Sequence, residues 1–221
     1  MKIFAFADEA SANVDEQIVS LLENGLQGLE IRNVDGVNVA DITEEKAYEV
    51  KKKIDDAGLT VWSIGSPIGK IGIKDADEHV EKFKHVLKIA DILGAKNIRL
   101  FSLHINDGRK PDECKDEVIA FLKKLVELAK GYDVTLCHEN EKGIYGDTPE
   151  KCLQIHKSVP EIKAIFDPAN YIQCGVDTVK AWEMIKPYVK YLHIKDAFSD
   201  GNVVPAGKGI GKIPFIINEY I

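Results

Sequence analysis

Residues 134–140 read VTLCHEN, an apolar run that ends in an imidazole, a carboxylate and an amide. Apolar runs of this length predict buried strands. Ionisable side chains such as those of His138 and Glu139 are uncommon in a buried strand. In a parallel barrel, however, the carboxyl ends of the strands form the rim on which catalytic side chains lie. The stretch therefore indicates a strand whose end belongs to a functional site.

The same unit of short apolar strand and longer amphipathic helix recurs along the chain. Strands are predicted at residues 2–7, 28–32, 59–65, 96–102, 134–140, 162–167 and 189–196. Helices are predicted near 14–23, 43–58, 77–94, 112–132, 149–158 and 177–186, and a last one from about 213 to 221. This alternation favours parallel pairing with right-handed crossovers. Seven units favour an α/β fold of the closed (β/α) TIM-barrel type over an open doubly wound sheet.

Composition narrows the classes of function. The chain has 221 residues, a net charge of −7 and 45% hydrophobic residues, and we expect residues 1–221 to form a single domain. The acidic balance disfavours nucleic acid as a partner, and no apolar run approaches the length of a membrane span. No strand–helix junction carries the glycine fingerprint of a dinucleotide fold. Four scattered cysteines and no evident signal peptide predict a cytoplasmic protein with free thiols.

Polar residues stand at the end of almost every predicted strand. Three of them, Glu139, Asp167 and His193, have side chains that suit a divalent ion. Two carboxylates and one imidazole favour Mn²⁺, Mg²⁺, Co²⁺ or Zn²⁺ over an ion that prefers thiolates. Taken singly, each has an ordinary alternative role, as a cap, a turn or a packed core histidine. Together, on three successive strands, they predict a site for one metal ion.

Several short motifs resemble the sugar phosphate isomerase/epimerase family, whose fold is a xylose isomerase-like barrel. They are HEN at 138–140, FDPANY at 166–171, LHIKD at 192–196, LEIR at 29–32 and PAGKGIGKIPF at 205–215. Their order and spacing follow the family over nearly the whole chain. The resemblance implies that Glu139, Asp167 and His193 are metal ligands. It also implies that further residues lie around the substrate: Glu30, Arg99, His138, Asn170 and Lys195.

The resemblance implies a metal-dependent isomerase or epimerase acting on a small-molecule carbohydrate, a sugar phosphate or a keto acid. Such enzymes remove a proton next to a carbonyl and pass through an enediolate, with Glu139 as the base here. From the residue types, Lys195 and Arg32 are candidates to bind a substrate phosphate or carboxylate. Glycines 207, 209 and 211 either assist them or form a simple turn.

The chain departs from the family pattern at its end. The eighth strand, with a second glutamate about 35 residues beyond the histidine, would lie past Ile221. We therefore expect a C-terminally incomplete form of a longer protein, with poor epimerase activity if no second glutamate is supplied. Unpaired barrel edges would also allow a homo-oligomer.

Three alternatives stay open from the sequence. An apurinic-site endonuclease shares this barrel, but such an enzyme has a multi-zinc site rich in histidine. This chain has only six histidines in all. A polyol dehydratase would use the same proton abstraction followed by loss of water. A non-catalytic barrel is the third alternative, because the last strand is missing.

Overall fold

The protein is described by a computed structural model that covers residues 2–221. The chain divides into two compact units. The first comprises residues up to 68, 77–99 and 127–136, and the second comprises 69–76, 100–126 and 137–221. Each unit is an α/β structure in its own right.

The first unit is built around parallel strands in the order β1-β4-β5. Its elements are α1 (Val14–Glu23), β1 (Gly28–Ile31), the hairpin β2 (Asn33–Val34) and β3 (Val37–Asn38), α2 (Glu44–Asp56), β4 (Thr60–Ile64), α3 (Ala76–Leu93) and β5 (Asn97–Leu100). Helix α2 begins where the Thr43 hydroxyl accepts a hydrogen bond from the Lys46 amide. It buries Ala47, Val50 and Ile54, which share one face at helical spacing.

The second unit repeats the arrangement with parallel strands in the order β6-β7-β8. Its elements are α4 (Lys115–Ala129), β6 (Thr135–Glu139), α5 (Pro149–Ser158), β7 (Lys163–Phe166), α6 (Pro168–Gln173), α7 (Thr178–Ile185), β8 (Val189–Leu192), the hairpin β9 (Asp196–Ala197) and β10 (Val203–Val204), and α8 (Ile213–Tyr220). A buried aromatic cluster packs the helices on the strands, with the rings of Phe166 and Trp182 perpendicular and 5.2 Å apart. This core fixes the strand ends that carry the site.

The α/β class and six of the seven predicted strands are confirmed. The exception is the stretch 2–7, in which only Ala5 forms a parallel bridge, to Leu29, and Ala7–Glu9 turn into a short 3₁₀ helix. The strand predicted at 189–196 ends at Leu192. Within residues 2–221, no further parallel strand joins β8. No helix in this range has the length and apolar character needed to cross a membrane.

Candidate metal centre

Three neighbouring strand ends in the second unit carry the predicted ligands. Glu139 is the last residue of β6, Asp167 follows β7 directly, and His193 follows β8 directly. In the β6–β7 register, Glu139 lies beside Ile165. Because the strands are parallel, their carboxyl ends reach the same edge of the sheet, and the three side chains meet there.

The ligand atoms of these three residues all lie within 4.8 Å of one another. Nδ1 of His193 is 2.8 Å from Oε1 of Glu139. All three residues are buried or nearly so, with exposed fractions of 3% for Glu139, 1% for Asp167 and 9% for His193. A buried group of two acids and an imidazole is therefore assembled from residues far apart in the sequence.

This group matches the chemistry of a divalent-ion site. Bonds from carboxylate oxygen or imidazole nitrogen to such an ion are about 2.0–2.3 Å, so two ligands on opposite sides are about 4–4.6 Å apart. The 4.8 Å spread of the three atoms is close to that span. Glu139, Asp167 and His193 thus fit the predicted ligand set.

Asp167 is held from several directions. Its Oδ1 accepts the Asn170 amide as the N-cap of α6, at 2.9 Å. Its own backbone exchanges two hydrogen bonds with the Asn140 side chain, at 2.9 and 3.0 Å. The asparagine of the HEN motif therefore fixes the backbone from which Asp167 projects, and its side chain is committed to that contact.

Lys195 forms an ion pair with Asp167, with 2.9 Å between Nζ and Oδ2. Burial raises the pKa of Asp167 to about 6, and the charge of Glu139 adds to this, while Lys195 opposes it. Burial lowers the pKa of Lys195, but the charge and hydrogen bond of Asp167, together with the charges of Glu139 and Glu141, raise it by more, so its pKa is raised overall. Lys195 therefore remains a cation beside the cluster.

Asn170 links the acidic residues of the site. Its Nδ2 lies 2.9 Å from the Asn140 carbonyl oxygen, 3.4 Å from Oε1 of Glu139 and 3.5 Å from Oε2 of Glu141. Its Oδ1 accepts a hydrogen bond from Lys195 at 2.7 Å. The amide group of Asn170 is thus engaged by the protein and supports the surrounding side chains, and its substrate role stays a prediction.

A second ion pair flanks the cluster. Nζ of Lys70 lies 3.0 Å from Oε2 of Glu141 and 4.4 Å from the centre of the Phe101 ring. Neither Lys70 nor Glu141 was among the predicted site residues. Lys70 lies on a loop far away in sequence, so no local pattern connects it to Glu141.

His138 lies beneath the rim and is fully buried. Its Nε2 is 2.9 Å from the Ser102 hydroxyl, which also accepts the Gly146 amide at 2.7 Å. Burial, together with the neighbouring His156, lowers the pKa of His138 to about 3, so the ring is neutral. A Cβ on Gly146 would lie 2.4 Å from the imidazole, so only glycine leaves room for this ring.

The remaining predicted substrate residues belong to the first unit. Glu30 is buried in β1. Arg99, in β5, is buried and donates to the carbonyl oxygens of Gly65 at 3.0 Å and Ser66 at 3.4 Å. These contacts give Arg99 a structural role in its own unit, and its substrate role stays a prediction.

Arg32 pairs with two acids near the chain start. Its Nε lies 2.8 Å from Asp8, and its Nη2 lies 3.3 Å from Glu9. The guanidinium also lies over the Phe6 ring, 4.8 Å from its centre. Its charge is therefore balanced within the first unit.

The glycine-rich loop surrounds a carboxylate of the protein itself. The amides of Gly207 and Gly209 donate to Oδ2 of Asp196, at 3.0 and 2.9 Å, and those of Gly211 and Ala197 donate to Oδ1, at 2.8 and 2.9 Å. Asp196 is fully buried. The loop amides are thus engaged by Asp196, which favours the structural turn over a phosphate site.

The fold and this site define an α/β protein with a candidate metal centre on its strand ends. The sequence of residues 19–219 matches the xylose isomerase-like TIM barrel family, and the chain belongs to this family. Membership of this family confirms the predicted TIM-barrel fold class.

Individual relatives are distant. The chain is 20% identical over 203 residues to a 3-dehydroshikimate dehydratase of Bacillus anthracis, a match covering 87% of this chain and 72% of the relative. A D-tagatose 3-epimerase-like protein superposes with a TM-score of 0.81 at 16% identity, covering 99% of this chain and 86% of the other. A barrel protein from Mycobacterium smegmatis in complex with magnesium has a TM-score of 0.74 at 16% identity, with coverages of 93% and 76%.

Proposed function

We propose that the protein is a metal-dependent isomerase or epimerase that removes a proton next to a carbonyl in a hydroxylated substrate. The observation that carries the proposal is the cluster of Glu139, Asp167 and His193, whose ligand atoms lie within 4.8 Å of one another. The barrel relatives named as an epimerase-like protein and a dehydratase support this class of chemistry.

Glu139, Asp167 and His193 would hold the divalent ion. When bound, the ion would supply positive charge that stabilises the negative charge developing on the substrate oxygens. Glu139 would take the proton from the carbon, because its carboxylate stands at the strand end and points into the cluster. Asn170 would keep that carboxylate oriented, through its contact to Oε1 at 3.4 Å.

The test combines metal content with proton exchange. The purified protein is expected to contain one divalent ion per chain. With Mn²⁺ or Mg²⁺ added, it is expected to incorporate solvent deuterium into at least one member of a panel of ketoses, keto acids and inososes. Glu139→Gln retains the hydrogen-bond acceptor at Oε1 but is expected to abolish exchange while leaving the protein folded.

The matched control is Glu161→Gln, which changes an exposed glutamate just before β7. It is expected to exchange deuterium at the rate of the unmodified protein. Equal exchange by Glu139→Gln and Glu161→Gln would exclude Glu139 as the base. No exchange by the metal-loaded protein across the whole panel would count against the proposed function.

A dehydratase is the second candidate, favoured by the matched relative of that name. It would begin with the same proton removal by Glu139, and the hydroxyl group on the next carbon would then take up that proton and leave as water while the carbon–carbon double bond forms. The two candidates differ in their products, because only the dehydratase forms a new carbon–carbon double bond. Ultraviolet absorption by a conjugated product formed from 3-dehydroshikimate would favour the dehydratase.

A further inference from the structure

Three features of the chain are candidates to bind a substrate anion: Arg32, the glycine-rich loop and Lys195. Two of them are already paired within the protein. Arg32 contacts Asp8 and Glu9, and the loop amides surround Asp196. Of the three candidates, Lys195 is the one that contacts the metal cluster, through Asp167.

Lys195 has an unused donor next to the cluster. An ammonium group has three N–H donors. Two are directed at Oδ2 of Asp167, at 2.9 Å, and Oδ1 of Asn170, at 2.7 Å. Among residues 2–221, the ammonium has no third partner, and its side chain is 37% exposed. The remaining donor is thus available to a ligand while the other two hold the ammonium in place.

The charges around the site also favour an anion. Lys70 pairs with Glu141 and Lys195 pairs with Asp167, and the Asn170 amide joins a third carboxylate, that of Glu139, to this group. With a divalent ion bound, the ion and the two lysines carry four positive charges, one more than the three negative charges of the carboxylates. A substrate with a single negative charge would therefore neutralise the site.

From these contacts we infer that the substrate is a hydroxylated carbonyl compound bearing a carboxylate, and that Lys195 binds this carboxylate. A phosphate is less suited, because it needs several converging donors such as a guanidinium or a loop of free amides. The inference rests on the proposed function, since it places the carboxylate in the same site as the reacting carbonyl.

Matched ligands test the inference by calorimetric binding to the Mg²⁺-loaded protein. D-fructuronate and D-tagaturonate replace the terminal hydroxymethyl group of D-fructose and D-tagatose with a carboxylate far from the carbonyl. At least one acid is expected to bind about tenfold or more tightly than its neutral partner, because a charge-assisted hydrogen bond is added. D-fructose 6-phosphate is expected to bind less tightly than the best acid.

Lys195→Gln is expected to remove most of this preference, whereas Lys195→Arg, which keeps the charge, retains it. Lys190→Gln is the matched control, since Lys190 is an exposed lysine on β8. Acids that bind no more tightly than their neutral partners to the unmodified protein overturn the inference, and this comparison needs no variant. Tighter binding of the phosphate, or a preference that survives Lys195→Gln, overturns it too.

Deuterium exchange separates this inference from the proposed function. Preferred binding of an acid without exchange of its protons would support the carboxylate site and count against proton abstraction. Exchange on neutral ketoses, with no preference for acids, would support proton abstraction and overturn the carboxylate site.

Discussion

His156 shows how one buried residue can make stability depend on pH. Its Nδ1 lies 3.1 Å from the Ile162 carbonyl oxygen, so this nitrogen carries the proton. Its Nε2 is buried and has no hydrogen-bond partner among residues 2–221. Protonation would place a cation there without a partner, and burial accordingly lowers the pKa of His156 to about 4. The ring is neutral in the folded protein at neutral pH.

We predict that His156 destabilises the fold as the pH falls. Below its ordinary pKa of about 6.5, the unfolded chain binds a proton that the native ring binds only near pH 4. The free energy of unfolding should therefore fall by roughly 1.4 kcal/mol per pH unit from this residue between about pH 6 and pH 4. Above pH 6.5 its contribution should not change.

Urea unfolding of the unmodified protein and His156→Asn over pH 4–8 measures this contribution. Asparagine keeps a donor toward Ile162 but does not titrate. Lost stacking on Tyr188, whose ring centre is 5.2 Å away, should lower the stability of the variant by a constant amount. The two curves should run parallel above pH 6.5 and converge below it. Parallel curves over the whole range would show that His156 is not the titrating group.

At the scale of elements, the loop after β9 and β10 depends on a single carboxylate. Four backbone amides between residues 197 and 211 donate to Asp196, and bonds of this charge-assisted kind are stronger than neutral ones. Glycine is required where the loop turns tightly. A Cβ on Gly209 would lie 2.2 Å from the Ala197 carbonyl oxygen.

We predict that Asp196→Asn lowers the free energy of unfolding by about 1–3 kcal/mol. The NH₂ group of asparagine is itself a donor, so it cannot accept the backbone N–H groups that point at this position. Gly209→Ala should also destabilise the protein, since the backbone must move to relieve the clash. Asp200→Asn, on the exposed turn between β9 and β10, is the matched control and should change stability little. Chemical denaturation of the three variants measures these effects. Equal stability of Asp196→Asn and Asp200→Asn would remove the role assigned to the carboxylate.

The sequence predicts the elements best where local signals mark both ends. Helices α1 and α5 coincide with their predicted bounds, 14–23 and 149–158. For α1, Asn13 caps the start and Gly25, with a φ of 65°, follows the end. The stretch 2–7 has strand composition but forms a single bridge, because a strand also requires a neighbour along its length.

Helix α6 is not among the predicted helices, because its six residues are too few to show helical periodicity. Asp167 followed by Pro168 is also the pattern of a helix N-cap with proline at the first helical position, and the structure uses it in that way. The candidate ligands were predictable, since strand ends are readable from the sequence. The contact of Lys70 with Glu141 was not, since it depends on packing between distant loops.

At the scale of the whole molecule, the candidate ligands lie entirely within the second compact unit. They come from three successive strand ends, separated by 28 residues between Glu139 and Asp167 and by 26 between Asp167 and His193, so one ion would cross-link three strands. An ion that binds only the native chain stabilises it by mass action. Metal binding and resistance to unfolding should therefore be linked.

We predict that Mn²⁺ or Zn²⁺ at 100 times its dissociation constant raises the free energy of unfolding by about 2.7 kcal/mol. Asp167→Asn should lose most of this gain, because the amide is a poorer ligand, while asparagine still caps α6. Asp177→Asn is the matched control, since Asp177 caps α7 in the same way but lies outside the cluster. Thermal and chemical unfolding with added metal or chelator measures the gain. A gain of the same size in both variants would show that the ion binds elsewhere.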